Sequence, residues 1–203
     1  MQARKSIALL VSVAVVALSG MAASAASAKP AWKFNSVELK GTELVAGVAS
    51  PSSLPLPGVT VTCEDFAFVM NIWNVGELGR SELTELWPFE CHTSNPHCIL
   101  ESIEAKKLPW PGHAVQIAGK NYLVTEGVDI GVVFGGSLCA LSGLVEVKGT
   151  AGGFFANSSL EFSKATFEAT ATALKVGAVK VEWTGLFLME AFELNRERTL
   201  ELL

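Results

Sequence analysis

The sequence predicts an all-β protein, an antiparallel β-sandwich or barrel, and three observations carry that prediction. Apolar and polar residues alternate over short runs, Gly, Pro and Asn punctuate the runs, and no βα alternation interrupts them. A length of 203 residues suits one domain with a single core. Half the residues are hydrophobic (50%) and only 17% are charged, which excludes a disordered chain.

From the N-terminus, Arg4-Lys5 precede an apolar run from Ile7 to Leu18, broken only by Ser12. Ala23-Ser24-Ala25 and Ala26-Ser27-Ala28 follow as small-x-small sites. That order predicts a secretory signal peptide over residues 1–28, its apolar run being shorter than the roughly 20 residues of a membrane span. The later apolar stretch from Leu123 to Val147 is interrupted by Glu126, Asp129 and Glu146, so the mature form is not expected to span a membrane. Residues 29–57 are expected to be a lead-in, with one strand near Ser36 to Val45 and a Pro/Ser cluster from Pro51 to Pro57.

Residues 58–203 are expected to form a single β domain. Val59, Val61 and Cys63 share a face, and Phe66, Phe68, Met70 and Ile72 continue with the parity shifted by one, which predicts a bulge near Glu64-Asp65. Ser81 to Trp87, with Ser81 as cap and Glu82 and Glu85 early, predicts a turn or two of helix. Val115 to Ile117 and Tyr122 to Val124 flank Ala118-Gly119-Lys120-Asn121, a tight hairpin with Gly119 in the strained position. Val145 and Val147 mark a strand. Leu160, Phe162, Ala165, Phe167 and Ala169 suggest a long strand with a parity slip, and Val179, Val181 and Trp183 lead on through Leu186, Leu188 and Phe192. The tail from Glu190 to Leu203 is rich in helix formers and predicts a short C-terminal helix or tail.

Export would place Cys63, Cys91, Cys98 and Cys139 in an oxidising compartment, where an even count points to two disulfides. Cys91 and Cys98 bracket a turn-rich hexapeptide, His92 to His97, which favours Cys91–Cys98 with Cys63–Cys139. The pairing Cys63–Cys91 with Cys98–Cys139 stays open. A zinc site at Cys91-His92 and His97-Cys98 would draw all four ligands from eight residues, so the disulfide is preferred and neither metal nor cofactor is expected.

Val59-Thr60-Val61-Thr62-Cys63, then Phe89-Glu90-Cys91, then Cys98, and later Cys139-Ala140-Leu141-Ser142-Gly143-Leu144-Val145-Glu146-Val147-Lys148-Gly149 form an ordered cysteine pattern. The pattern resembles a group of uncharacterised secreted, β-rich proteins of soil bacteria, over roughly Gly58 to Trp183. The resemblance implies export, a β fold and two disulfides, and implies no chemistry.

Charge narrows the function classes. Arg4 and Lys5 are the only charges in the first 28 residues, leaving 13 basic against 20 acidic side chains, so nucleic acid is not an expected partner. Gly135-Gly136-Ser137-Leu138-Cys139 lacks the closing glycine of a nucleophile elbow, and Gly119-Lys120 lacks the upstream glycine of a phosphate loop. Carboxylate pairs such as Glu101/Glu104 and Glu64/Asp65 keep a secreted polysaccharide hydrolase as the alternative class. Trp110, in Leu108-Pro109-Trp110-Pro111-Gly112, is expected in a loop, and Trp87 lies just before Cys91. Both are candidates either to stack on a ligand, a glycan or cell-envelope component, or to plug the open ends of the sandwich. Asn157-Ser158-Ser159 marks a surface turn. The leading expectation is a secreted, disulfide-stapled, non-catalytic binding or structural module.

Overall fold

Tight turns fold the longest alternating runs into hairpins, and these hairpins build the molecule. A computed structural model describes residues 29–49, 51–191 and 199–203; the segment read as a signal peptide lies outside the described residues. In chain order the elements are β1 (Trp32–Phe34), β2 (Val37–Glu38), β3 (Glu43–Ala49), β4 (Ser52–Leu56), β5 (Val59–Val75), β6 (Leu78–Thr93), β7 (Ile99–Ala105), β8 (Trp110–Ile117), β9 (Lys120–Gly135), β10 (Gly143–Ala156), β11 (Ser159–Phe162), α1 (Lys164–Thr170), β12 (Ala173–Val176), β13 (Val179–Val181), β14 (Gly185–Ala191) and β15 (Leu200–Leu202).

Eight of them close an antiparallel ring in the order β3, β5, β6, β8, β9, β10, β11, β14 and back to β3. Closure depends on close approach between β3 and its neighbours. A Cβ on Gly47 would lie 2.1 Å from the Leu188 carbonyl oxygen and 2.5 Å from the Phe68 ring, so only glycine fits there. Phe68, Met70, Leu123, Phe155, Leu160, Phe162, Phe187 and Met189 are buried in the core. They leave a cavity of about 40 Å³, enough for a few water-sized molecules, so the barrel is filled by its own side chains. A small sheet, β2–β1–β15, shares no strand ladder with the ring. It places Trp32 at the β5–β6 hairpin, fully buried, its indole N–H donating to the Arg80 carbonyl at 2.7 Å and its ring edge-on to Phe155.

The long strands run on past the ring into a two-layer extension. Val59 to Cys63 of β5 pairs with β4 on one side and with the end of β6 on the other. Val128 to Phe134 of β9 pairs with β7 and with β10, which continues through β12 to β13. The layers meet across a narrow cleft of about 10 Å³, lined by Val61, Cys63 and Leu86 from one side and Ile103, Ala105 and Ile130 from the other. Trp183 lines both this cleft and the ring cavity, stacked on Phe162 at 5.9 Å and donating its indole N–H to the buried Ser52 hydroxyl at 3.2 Å.

The all-β barrel expectation holds, and so does the hairpin at Ala118-Gly119. Those two residues have φ of 50° and 75° between paired Ile117 and Lys120, a two-residue turn of the mirror-image type that right-twisted strands require. The parity shift at Glu64-Asp65 is present without the expected bulge: Val59, Val61 and Cys63 face inward, both acids are exposed and Phe66 resumes the inward face, yet the pairs Cys63–Cys91 and Asp65–Phe89 stay in one register. Its partner strand deviates at the same level, with Glu90 at φ 48°.

Four further expectations are corrected. Residues 29–57 are not a lead-in: they supply β1 to β4, and β3 is a member of the ring. Ser81 to Trp87 lies within β6, not a helix. There Thr84 is an extra residue between the pairs Met70–Leu83 and Val69–Glu85, its hydroxyl donating to the Val69 carbonyl. The bulge puts Leu83 and Leu86 on one side, a spacing of three that imitates helical periodicity. Conversely, the long strand expected from Leu160 to Ala169 breaks at Ser163, which caps α1. The Ser163 side chain accepts from the Thr166 N–H, and the Thr166 hydroxyl accepts from the Ser163 N–H, a capping box with threonine in the usual glutamate place. Of the tail expected to be helical, Leu200–Leu202 is strand β15 paired with β1, while residues 192–198 lie outside the described residues.

Candidate binding surface

All four cysteines are in disulfides, but the favoured pairing is overturned. The bonds are Cys63–Cys91 and Cys98–Cys139. Cys63 and Cys91 are direct cross-strand partners in β5 and β6, a relation set by the hairpin register and invisible to loop length. Cys98 immediately precedes β7, and Cys139 sits in the turn between β9 and β10. The hexapeptide between Cys91 and Cys98 carries the chain from one layer of the extension to the other. It is held by the Thr93 hydroxyl on the Cys98 carbonyl and by two hydrogen bonds between Thr60 and Ser94.

Trp110 does not lie in a loop. It opens β8, is 2% exposed, lines the ring cavity and donates its indole N–H to the Lys106 carbonyl at 2.8 Å. Its ring is therefore part of the core and offers no face to a ligand. Trp87 is different: it sits in β6 with 45% of its surface exposed. Pro88 follows it at a stretch of β6 that has β5 on one side and no hydrogen-bonded strand on the other, where a missing N–H costs nothing.

Strand register shows what surrounds Trp87. Leu188 is opposite Val48, Val48 opposite Ala67, and Ala67 opposite Trp87, one row on the outer face across β14, β3, β5 and β6. Phe89 and Leu186 lie one step along, and Ala46 and Val69 one step the other way. Val48 is 57% exposed, Phe89 50% and Leu188 46%, so the row is an open apolar wall rather than a scatter of single side chains. Asp65, Glu85, Glu161 and Glu190 occupy neighbouring positions on the same face, all exposed. Neither β3, β5, β11 nor β14 contains a lysine or arginine.

The other residues singled out by sequence are dispersed. His92 lies 3.9 Å from Glu64 on the surface, and the His97 N–H is bonded to the Asn95 side chain. Among the described residues no group of three or more His, Cys, Asp or Glu is placed to hold a metal ion. Ser137 is exposed in the turn that carries Cys139. Glu101, Glu104, Glu64 and Asp65 are exposed, and neither interior cavity is lined by an acid, so these pairs do not converge on the floor of a cleft. Asn157-Ser158 forms the turn between β10 and β11, both residues at positive φ.

A second cluster lay outside the sequence reading. Asp129, 3% exposed on the outer face of β9, is bridged by Lys107 at 2.9 Å, with Lys148 at 4.0 Å; its Oδ1 has no hydrogen-bond partner. Lys148 also hydrogen-bonds Glu146 at 2.7 Å. That bond holds the Glu146 carboxyl below its usual range and raises Lys148 above the usual amine value. The signal for this cluster was an aspartate inside a strand otherwise rich in valine and isoleucine. No family model matches this chain, and comparison with curated proteins and with solved structures found no match.

Proposed function

We propose that the protein is a secreted, non-catalytic binding module that holds a glycan or other cell-envelope component on the outer wall around Trp87. The observation that carries this reading is the Leu188–Val48–Ala67–Trp87 row, with Phe89 beside it. Flat aromatic rings offer stacking area at low entropic cost, and the flanking carboxylates of Asp65 and Glu85 are acceptors for sugar hydroxyls. The filled barrel supports an exterior site, because the interior has no room for a ligand of that size. Two disulfides suit an oxidising compartment, and no helix among the described residues is long and apolar enough to cross a membrane.

A glycan array and isolated cell-envelope material, probed with the protein and with Trp87→Ala and Phe89→Ala, test the reading. Both variants are expected to lose retention by at least tenfold with unchanged melting. Full retention by Trp87→Ala overturns the site, and turnover of the bound glycan overturns the non-catalytic reading. N-terminal sequencing of exported protein tests secretion, with Lys29 or Ala26 expected as the first residue and an intact Met1 as the contrary result.

A further inference from the structure

The wall that carries Trp87 is acidic, and the lysines are gathered elsewhere in a line. Asp129 of β9 is opposite Lys148 of β10, Lys148 is opposite Lys175 of β12, and Lys175 is opposite Lys180 of β13. All three lysines are on the outer face, since their neighbours Val147, Leu174 and Val181 point into the core. Lys107 extends the line on the far side of Asp129. The ring order sets β10 four places from β5 in either direction, so this strip and the acidic wall lie on opposite sides of the molecule.

Like charges directly opposite one another across strands destabilise a sheet, and here the arrangement occurs twice in succession. Asp129 and Glu146 offset the cost only at the Lys106, Lys107 and Lys148 end. Among the described residues neither Lys175 nor Lys180 has an ion-pair partner. Three lysine stems therefore stand at successive strand spacings of about 5 Å on one face, Lys148 bonded to Glu146 and the other two without an ion-pair partner among the described residues. A convergent pocket would suit one anion, whereas a line suits a chain of them. Its composition suits phosphate, which lysine binds as a flexible point charge, without the planar forks that arginine offers to phosphate and carboxylate alike.

We infer that the Lys148–Lys175–Lys180 strip is a second binding site, for a linear phosphodiester polymer of the kind found in cell envelopes. The site is independent of the Trp87 wall, so either can fail alone.

Binding of poly(glycerol phosphate) to the purified protein, measured from 20 to 300 mM salt, tests it. The unaltered protein is expected to bind at low salt with an affinity that falls steeply as salt rises. Lys175→Ser/Lys180→Ser is expected to lose at least tenfold at low salt and to flatten the log–log salt slope by about 1.5, on the order of 0.7 per lysine. Its melting temperature should hold or rise, because a like-charge pair is removed. Lys33→Ser/Lys40→Ser, which removes the same charge at the other sheet, should bind as the unaltered protein does. The proposal is overturned if the two double variants lose affinity equally, if Lys175→Ser/Lys180→Ser binds normally, or if the unaltered protein ignores the polymer. Retention on anionic-lipid vesicles without binding to the polymer would also overturn it, since the partner would then be a membrane surface.

Discussion

The ring and the extension hold their strands by different means. In the ring every strand has hydrogen-bonded neighbours on both sides, and the circuit returns to its start at β14 and β3. No cysteine lies within it. In the extension the layers are joined at their edges by little more than the Ser53–Thr184 bridge, and both disulfides are there. Covalent staples occur where the backbone circuit stays open. Each staple lies within one layer, Cys63–Cys91 between β5 and β6 and Cys98–Cys139 between the start of β7 and the β9–β10 turn, so sulfur reinforces the layers of the open region and does not join them.

Trp183 is where the two regions touch, and removing it should break both. Trp183→Ala deletes a buried indole that borders the two cavities and leaves the buried Ser52 hydroxyl without its donor. The expected cost is about 4–5 kcal/mol, seen as an early midpoint in chemical denaturation. A loss below about 2 kcal/mol would mean that ring and extension are stabilised separately.

The staples come next. Their sequence separations are 28 for Cys63–Cys91 and 41 for Cys98–Cys139, so chain entropy assigns them nearly equal worth, about 3.5 and 4 kcal/mol. The native state should separate them instead. Without Cys63–Cys91 the β5–β6 hairpin keeps its register through the pairs on either side. Without Cys98–Cys139 the turn after β9 and the crossing from β6 to β7 lose their shared anchor. Hydrogen exchange on the Cys→Ser double variants should accordingly show local opening over residues 94–98 and 136–142 in the second case only. Opening of the β5–β6 hairpin in the first would show that its hydrogen bonds depend on the sulfur.

Smaller still is the effect of Trp87→Ala, expected to change stability by less than about 0.5 kcal/mol because the ring lies on the outer face. The same substitution at Trp110 should cost about 3–5 kcal/mol by melt. The least effect is that of pH at Glu146 and Lys148. Glu146, lowered by its bond to Lys148, stabilises the fold above its unfolded value, and the contribution is lost as pH falls through the lower folded one. Lys148, raised, contributes below its unfolded value and loses that contribution as pH rises through the folded one. Glu146→Gln should flatten both limbs slightly in a midpoint-against-pH series, and both groups being solvent-facing keeps the change small.

Two-residue periodicity made the β class and the Ala118-Gly119 hairpin legible. It failed where a local irregularity copied another element's spacing: the extra Thr84 made a strand look helical, and the Ser163 capping box followed by Phe167 made a helix look like a slipped strand. Disulfide pairing was hidden for another reason. Cys63 meets Cys91 because of hairpin register over residues 59–93, and register depends on a bulge that sequence distance does not report. Trp87 was visible as a candidate, but the wall around it was not, since Leu188, Val48 and Ala67 come from three strands far apart in the chain. The lysine strip was hidden likewise, as Lys148, Lys175 and Lys180 become neighbours only through pairing.

The pairing of β3 with β14 has a consequence in time. Residues 45–49 wait for residues 187–191, and Ala31 exchanges hydrogen bonds with Leu203, so the first described strands are completed by the last described ones. Any delivery that proceeds from the N-terminus, out of a ribosome or through a pore, presents β3 with no partner on that side until β14 has emerged. The β5–β6 and β8–β9 hairpins can form on the way, but the circuit cannot lock. The ring therefore closes only after β14 has been delivered, a long-range pairing that comes last in the order of synthesis of its strands.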